Sequence, residues 1–278
     1  ILFFDCSGNQ LTTLPSLPIF LPKLNCAENQ LTELPALPNT ITSIYCENNL
    51  IDSLPVLPPL LDTLSCGSNQ LTSLPILPSS LTDLECYFNQ ITSLPALPSS
   101  LITLVCGGNL LTTLPTLPSS LITLKCYSNQ LTFLPTLPSA LSYLDCGSNL
   151  ISSLPALPSS LTYLDCRLNQ ITSLPTLTGS IQFLDCSNNL LSILPALPGS
   201  LASLICSSNS LVDLPSLPSS LSYLDCSNAT LDSLPVSMNS VTELYCQNNL
   251  LTTLPLLSPS IYTLICSNKI INCFEEFP

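Results

Sequence analysis

Apolar residues recur along this chain in short bursts whose spacing changes twice within each burst. In the stretch from Leu101 to Ser120, Leu104 and Cys106 alternate with Thr103 and Val105, the period-two pattern of a short strand. Leu111, Leu114 and Leu117 follow in a run punctuated by Pro115 and Pro118. Each proline lacks an N–H and pushes the leucine before it toward extended geometry, so a helix is excluded there. Leu114-Pro115-Thr116-Leu117-Pro118 is predicted to run as polyproline II, and Ser119-Ser120 to turn the chain into the next strand. Six side chains of this stretch are expected to face inward: Leu101, Leu104, Cys106, Leu111, Leu114 and Leu117.

The same pattern returns every 20 residues. Cysteine stands at 6, 26, 46 and onward to Cys266, which is 14 occurrences at one spacing, with only Cys273 outside the series. The unit reads LxxLxCxxNxLTxLPxLPSS, and 14 units less two residues account for all 278 positions. No linker or change of composition interrupts it, so residues 1–278 read as a single array. Successive strands should lie parallel and about 4.8 Å apart. The predicted architecture is a solenoid of 14 turns, with a parallel sheet on its concave face and extended, proline-rich chain on its convex face. Essentially no α-helix is expected.

This unit resembles the leucine-rich repeat, and the resemblance covers essentially the whole chain. The 20-residue length and the LPxLP segment are similar to the short class found in bacterial surface proteins and secreted effectors. Effector repeats usually carry an aliphatic residue in the cysteine position. The cysteine form, as in LSYLDCGSNLISSLPALPSS, looks more like repeats of surface or secreted proteins of the Bacteroidetes. Related repeats also occur in giant viruses and amoeba-associated bacteria. The resemblance implies an extracellular or bacterial cell-surface location, with the host-cell cytoplasm as the alternative. In some effectors similar repeats precede a ubiquitin-ligase domain, and this chain contains no such domain.

Composition narrows the chemistry. Four Lys/Arg against 17 Asp/Glu give a net charge of −13, which argues against nucleic acid or an anionic membrane as partner. There is no histidine, hence no Ser-His-Asp or Cys-His relay and no histidine-ligated metal. No apolar run approaches the ~18 residues needed to insert in a membrane, and no signal-peptide pattern opens the chain. Gly67, Gly107, Gly108 and Gly147 form no phosphate-binding loop. An enzyme is not expected, nor a cofactor.

Two columns have structural readings. The cysteines lack close CxxC pairs, so they are expected to be small buried hydrophobes, reduced and free of metal. A disulfide between neighbouring turns fits the Cα spacing but suits the required dihedral poorly. The asparagines run from Asn9 to Asn209 and resume at Asn249, and their amides can bridge backbone groups of adjacent turns. That column breaks at Ala229 and Lys269, and Ser237-Met238 replaces Leu-Pro nearby. Repeat twelve is therefore predicted to be locally loosened.

The third, fifth, seventh and eighth positions of each repeat are expected to be exposed on the concave face. They hold ten of the 16 Phe and Tyr and ten of the 17 acidic residues, opposed only by Lys23, Lys125 and Arg167. The densest part is Tyr143-Leu-Asp145, Tyr163-Leu-Asp165 and Phe183-Leu-Asp185, repeated at Tyr223 and Asp225. A column of carboxylates about 5 Å apart would repel on an open face, a cost that folding does not require. Strand propensity of aromatics and solubility from Asp give one account of the pattern. A partner-binding surface gives the other, with a protein or peptide, possibly basic, as partner and a glycan as the alternative. Calcium in the carboxylate column and a passive spacer role are further alternatives. Neither end shows a capping segment, so the array is expected to be part of a longer chain or docked to a larger assembly.

Overall fold

The computed structural model describes residues 2–267. The readings placed on Ile1, Lys269, Cys273 and residues 275–278 fall outside that range. The chain forms two compact units, Ile1–Leu141 and Ser142–Pro278. The first carries strands β1 (Phe4–Asp5) through β7 (Thr123–Lys125), and the second β8 (Tyr143–Asp145) through β14 (Thr263–Ile265). Within each unit every strand pairs in parallel with its successor at a step of 20 residues, as in Leu84↔Leu104 and Leu184↔Leu204. Each unit is a parallel β-solenoid, and no helix occurs among the described residues. β1 spans two residues and every later strand three.

The inward set is as the pattern requires. Leu101, Leu104, Cys106 and Leu111 are fully buried, and Leu114 and Leu117 nearly so. The cysteines of the column are thiols. Cys26 through Cys246 are buried, whereas Cys6 and Cys266, expected to be buried as well, are only half-covered. Among the described residues each of these two has a neighbouring turn on one side alone. Burial pushes the Cys26, Cys86 and Cys246 thiols up to about 12, which keeps them protonated and unreactive at neutral pH.

Two polar ladders close the corners of the turns. Asn109 donates through Nδ2 to the carbonyls of Cys86 (3.0 Å), Cys106 (3.1 Å) and Gly107 (3.3 Å). Its Oδ1 accepts the Ile91 N–H at 3.0 Å. One side chain thus satisfies buried backbone on two turns. The second ladder is serine. Ser100 Oγ reaches the Leu81 carbonyl at 2.6 Å and the Ser79 carbonyl at 2.8 Å, and Ser120 and Ser180 repeat the arrangement. Sequence pattern predicts only turn propensity for these serines.

The residue before each asparagine takes left-handed backbone, with φ of +66° at Gly108 but also +48° at Phe88 and +53° at Leu168. Bulky side chains rarely tolerate this region. Asn228 adopts it too (φ 53°) although Ala229 follows it, so the turn keeps this conformation even without the asparagine bonds.

Repeat twelve combines a loss with a repair. Asn209 Oδ1 serves the Leu191 N–H and Asn249 Oδ1 the Leu231 N–H, while Ala229 offers no such acceptor to the buried Leu211 N–H. Met238, in contrast, is buried and forms a bridge with Leu257, while Ser237 turns to solvent. The core left by the missing leucine is filled one residue later.

Candidate functional site

The aromatic column of the second unit is built by register alone. Tyr143 pairs with Tyr163, and Tyr163 with Phe183, on adjacent parallel strands. Identical positions then sit one above the other, and the rings stack. Tyr143 and Tyr163 have centroids 4.1 Å apart and planes 5° off parallel, and Tyr163 and Phe183 have 4.4 Å and 3°. Tyr163 is therefore covered on both faces, and burial first, then the neighbouring Tyr143, raises its phenol pKa. All three rings are part-exposed on the sheet face.

The carboxylates beneath do not behave as expected. Asp165 and Asp185 are each only 3% exposed. The fifth and seventh positions, predicted to face solvent, are sunken at many turns: Ser65, Val105, Ser187 and Ser227 are also buried. The reason is steric, because turns about 4.8 Å apart let a larger neighbour cover a shorter side chain.

Folding also has a use for these aspartates. Asp145 Oδ1 accepts the Gly147 N–H at 3.1 Å, Asp165 the Arg167 N–H at 3.1 Å, and Asp185 the Ser187 N–H at 2.9 Å. Asp225 does the same for Ser227 at 3.0 Å. Each carboxylate closes the turn that leaves its strand, an Asx turn. The premise that the column serves no folding purpose is thereby corrected.

Mutual repulsion is relieved by Arg167, one of the three cations that the sequence sets against the acidic residues of this face. Its Nε lies 3.5 Å from Asp165 Oδ2 and its Nη1 3.8 Å from Asp185 Oδ2. Burial nevertheless raises the Asp165 carboxyl to about 6. The Arg167 N–H and guanidinium oppose this, while the charges of Asp145 and Asp185 reinforce it. Among the described residues no group of three acidic or cysteine side chains is arranged to hold a metal ion.

Six of the eight candidate residues form one contiguous patch, and two do not. Ser203 and Ile205 occupy the strand after Phe183 and Asp185, and only then come Tyr223 and Asp225. Tyr223 instead meets Tyr245 at 5.5 Å with the rings tilted by 36°. Tyr223 and Asp225 thus lie on the same sheet as the triplet, two strands further on.

The architecture and its cysteine column have solved counterparts. The chain aligns with YopM from Yersinia enterocolitica WA-314 at 36% identity and a TM-score of 0.95, covering 96% of this chain and 60% of that one. It aligns with YopM of Yersinia pestis, described as a leucine-rich effector protein, at 31% identity and a TM-score of 0.76, covering 95% and 88%. The chain belongs to the bacterial leucine-rich repeat proteins. It spans about 60% of the length of the Yersinia enterocolitica protein. The functional domain of InlJ from Listeria monocytogenes, described as including a cysteine ladder, aligns over 77% of this leucine-rich repeat chain and 60% of its own, at 28% identity and a TM-score of 0.63. No family model matches the chain, and no curated protein does either.

Proposed function

We propose that this leucine-rich repeat chain is a non-enzymatic binding module that holds a protein or peptide partner on the sheet face of its second unit. The observation that carries this reading is the stacked column Tyr143–Tyr163–Phe183. It offers a rigid strip of ring edges and phenols, already ordered before any partner arrives, so little side-chain entropy remains to be lost. A sugar ring needs an aromatic face, and Tyr163 has both faces occupied, which favours a polypeptide over a glycan. The half-exposed Arg167 gives the strip a polar rim, and the net charge of −13 favours basic partners. Likeness to an effector and to InlJ supports secretion or surface display as the setting.

The test is selection of peptides from a random display library on the intact chain, followed by rebinding to a Tyr143→Ala/Tyr163→Ala/Phe183→Ala variant. Selected peptides should be rich in Lys and Arg, lose affinity at higher salt, and bind the variant at least tenfold more weakly. Unchanged binding with an intact fold would show that the column is strand propensity alone. Salt-insensitive binding to arrayed glycans that requires the same rings would favour the glycan reading.

A further inference from the structure

We propose that the partner of this face inserts an aromatic side chain into a slot between Phe183 and Tyr223, where the ring column of the second unit lacks one ring. The inference deepens the reading above and rests on it, because the slot continues the same strip.

The slot follows from register. Phe183 pairs with Ser203, and Ser203 with Tyr223, on three successive parallel strands, β10 (Phe183–Asp185), β11 (Ser203–Ile205) and β12 (Tyr223–Asp225). One face of Phe183 is covered by Tyr163 at 4.4 Å, and its other face looks along the column to the Ser203 position. A serine cannot fill a ring's place, so the column has a gap there. The far wall is Tyr223, which meets Tyr245 of the strand beyond at 5.5 Å and is thus supported on the side away from Ser203. Two strand steps separate the walls by about 9.6 Å, which leaves about 4.8 Å on either side of one inserted plane. The column's own rings pack at 4.1 and 4.4 Å, so one flat ring fills the interval and a second does not enter.

The lining selects a neutral ring over a cation. Repeat eleven breaks both columns of this face at once. Ser203 stands where the flanking repeats carry Phe183 and Tyr223, and Ile205 where they carry Asp185 and Asp225. Both residues are part-exposed and form the floor. A guanidinium or ammonium finds no carboxylate at this level, and the neighbouring Asp185 is sunken and engaged by Ser187 and Arg167. An aromatic ring instead meets two aromatic walls and an aliphatic side chain, and leaves no charge unpaired as it is buried. Phe183 and Tyr223 are each held by a ring on the other side, so they lose little freedom when the slot closes on a guest.

The probe is N-acetyl-tryptophan-amide, titrated into the full chain and followed by backbone amide shifts. The expected result is saturable shifts centred on Phe183, Ser203, Ile205 and Tyr223. Ser203→Phe supplies the missing ring from within, so it should abolish probe binding and hold or raise the melting temperature. Phe183→Leu should weaken binding about two- to tenfold. Phe133→Ser, at an exposed aromatic of the first unit, should leave it unchanged. Amide dispersion checks that each variant is folded, and Phe183→Leu keeps the test decisive if Ser203→Phe disturbs the fold. Equal binding of N-acetyl-arginine-amide or of methyl glucoside, shifts that never saturate, or full affinity in folded Ser203→Phe would each overturn the slot. Selected peptides that need the ring column yet bind folded Ser203→Phe unchanged would overturn the slot alone. Saturable probe binding alongside peptides that ignore the column would keep the slot and overturn only the wider reading of the face.

Discussion

Two aromatic clusters decorate the sheet side of this solenoid, and they are held by different means. In the second unit Tyr143, Tyr163 and Phe183 occupy one strand position, and their rings lie parallel at 4.1 and 4.4 Å. In the first unit Tyr87, Phe88 and Tyr127 lie beyond the strands and meet edge to face, at 5.8 Å and 84° and at 6.2 Å and 72°. The first cluster needs only aligned residues, because parallel pairing sets the spacing. The second needs vacated volume. Tyr87 lies over Gly67, Tyr127 over Gly107 and Phe88 over Gly108, and a Cβ at any of the three would sit within 2.6 Å of a ring atom. Inside a strand the repeat dictates the neighbour, whereas outside it the neighbour must be small.

The largest expected effect breaks the stacked cluster. Tyr163→Ala removes two stacked contacts at once and should cost about 1–3 kcal/mol in urea unfolding, beyond the area lost. If the middle ring were merely aligned and not stacked, the cost would match that of removing Tyr143 or Phe183 alone. The next effect sharpens the glycine dependence of the other cluster. Gly67→Ala brings a Cβ to 2.5 Å from Tyr87 and should cost about 1 kcal/mol, while Gly147→Ala, at the same repeat position, meets nothing closer than 3.2 Å. Equal stabilities for these two variants would refute the glycine bed.

The smallest effect concerns the charge under the stack. The Asp165 carboxyl is raised to about 6 in the folded chain against 3.8 in its absence. The folded state therefore binds the proton more tightly, and its stability is lost as pH rises from about 4 through about 6. Asp165→Asn keeps the turn acceptor, as Asn25 already does in repeat two at 3.2 Å from the Ala27 N–H. It should raise the melting temperature at pH 7, by about 2–4 °C per kcal/mol regained, and give no gain below pH about 4. A variant that melts lower at pH 7 would show that the Arg167 ion pair outweighs burial.

The repeat period is the part of this protein that its sequence determined unaided. Leu104 and Cys106 alternate, Pro115 and Pro118 forbid helix, and Asn109 recurs every 20 residues, so each local pattern implies its own contact one turn away. The aromatic enrichment of the sheet face was legible for the same reason. What sits at the fifth and seventh positions was decided only in three dimensions. Asp165 and Asp185 have the same letters as an exposed acidic stripe, yet they sink, cap their turns and share Arg167. Ser100 reads as a turn residue yet bonds two carbonyls of the preceding turn. Glu47 reads as one more surface charge yet has an oxygen sealed from water. Burial at these positions depends on the size and tilt of side chains one and two turns on, as Tyr87 over Gly67 shows. A pattern along the chain reports which residues face one way, and only packing among three successive turns decides which of them water reaches.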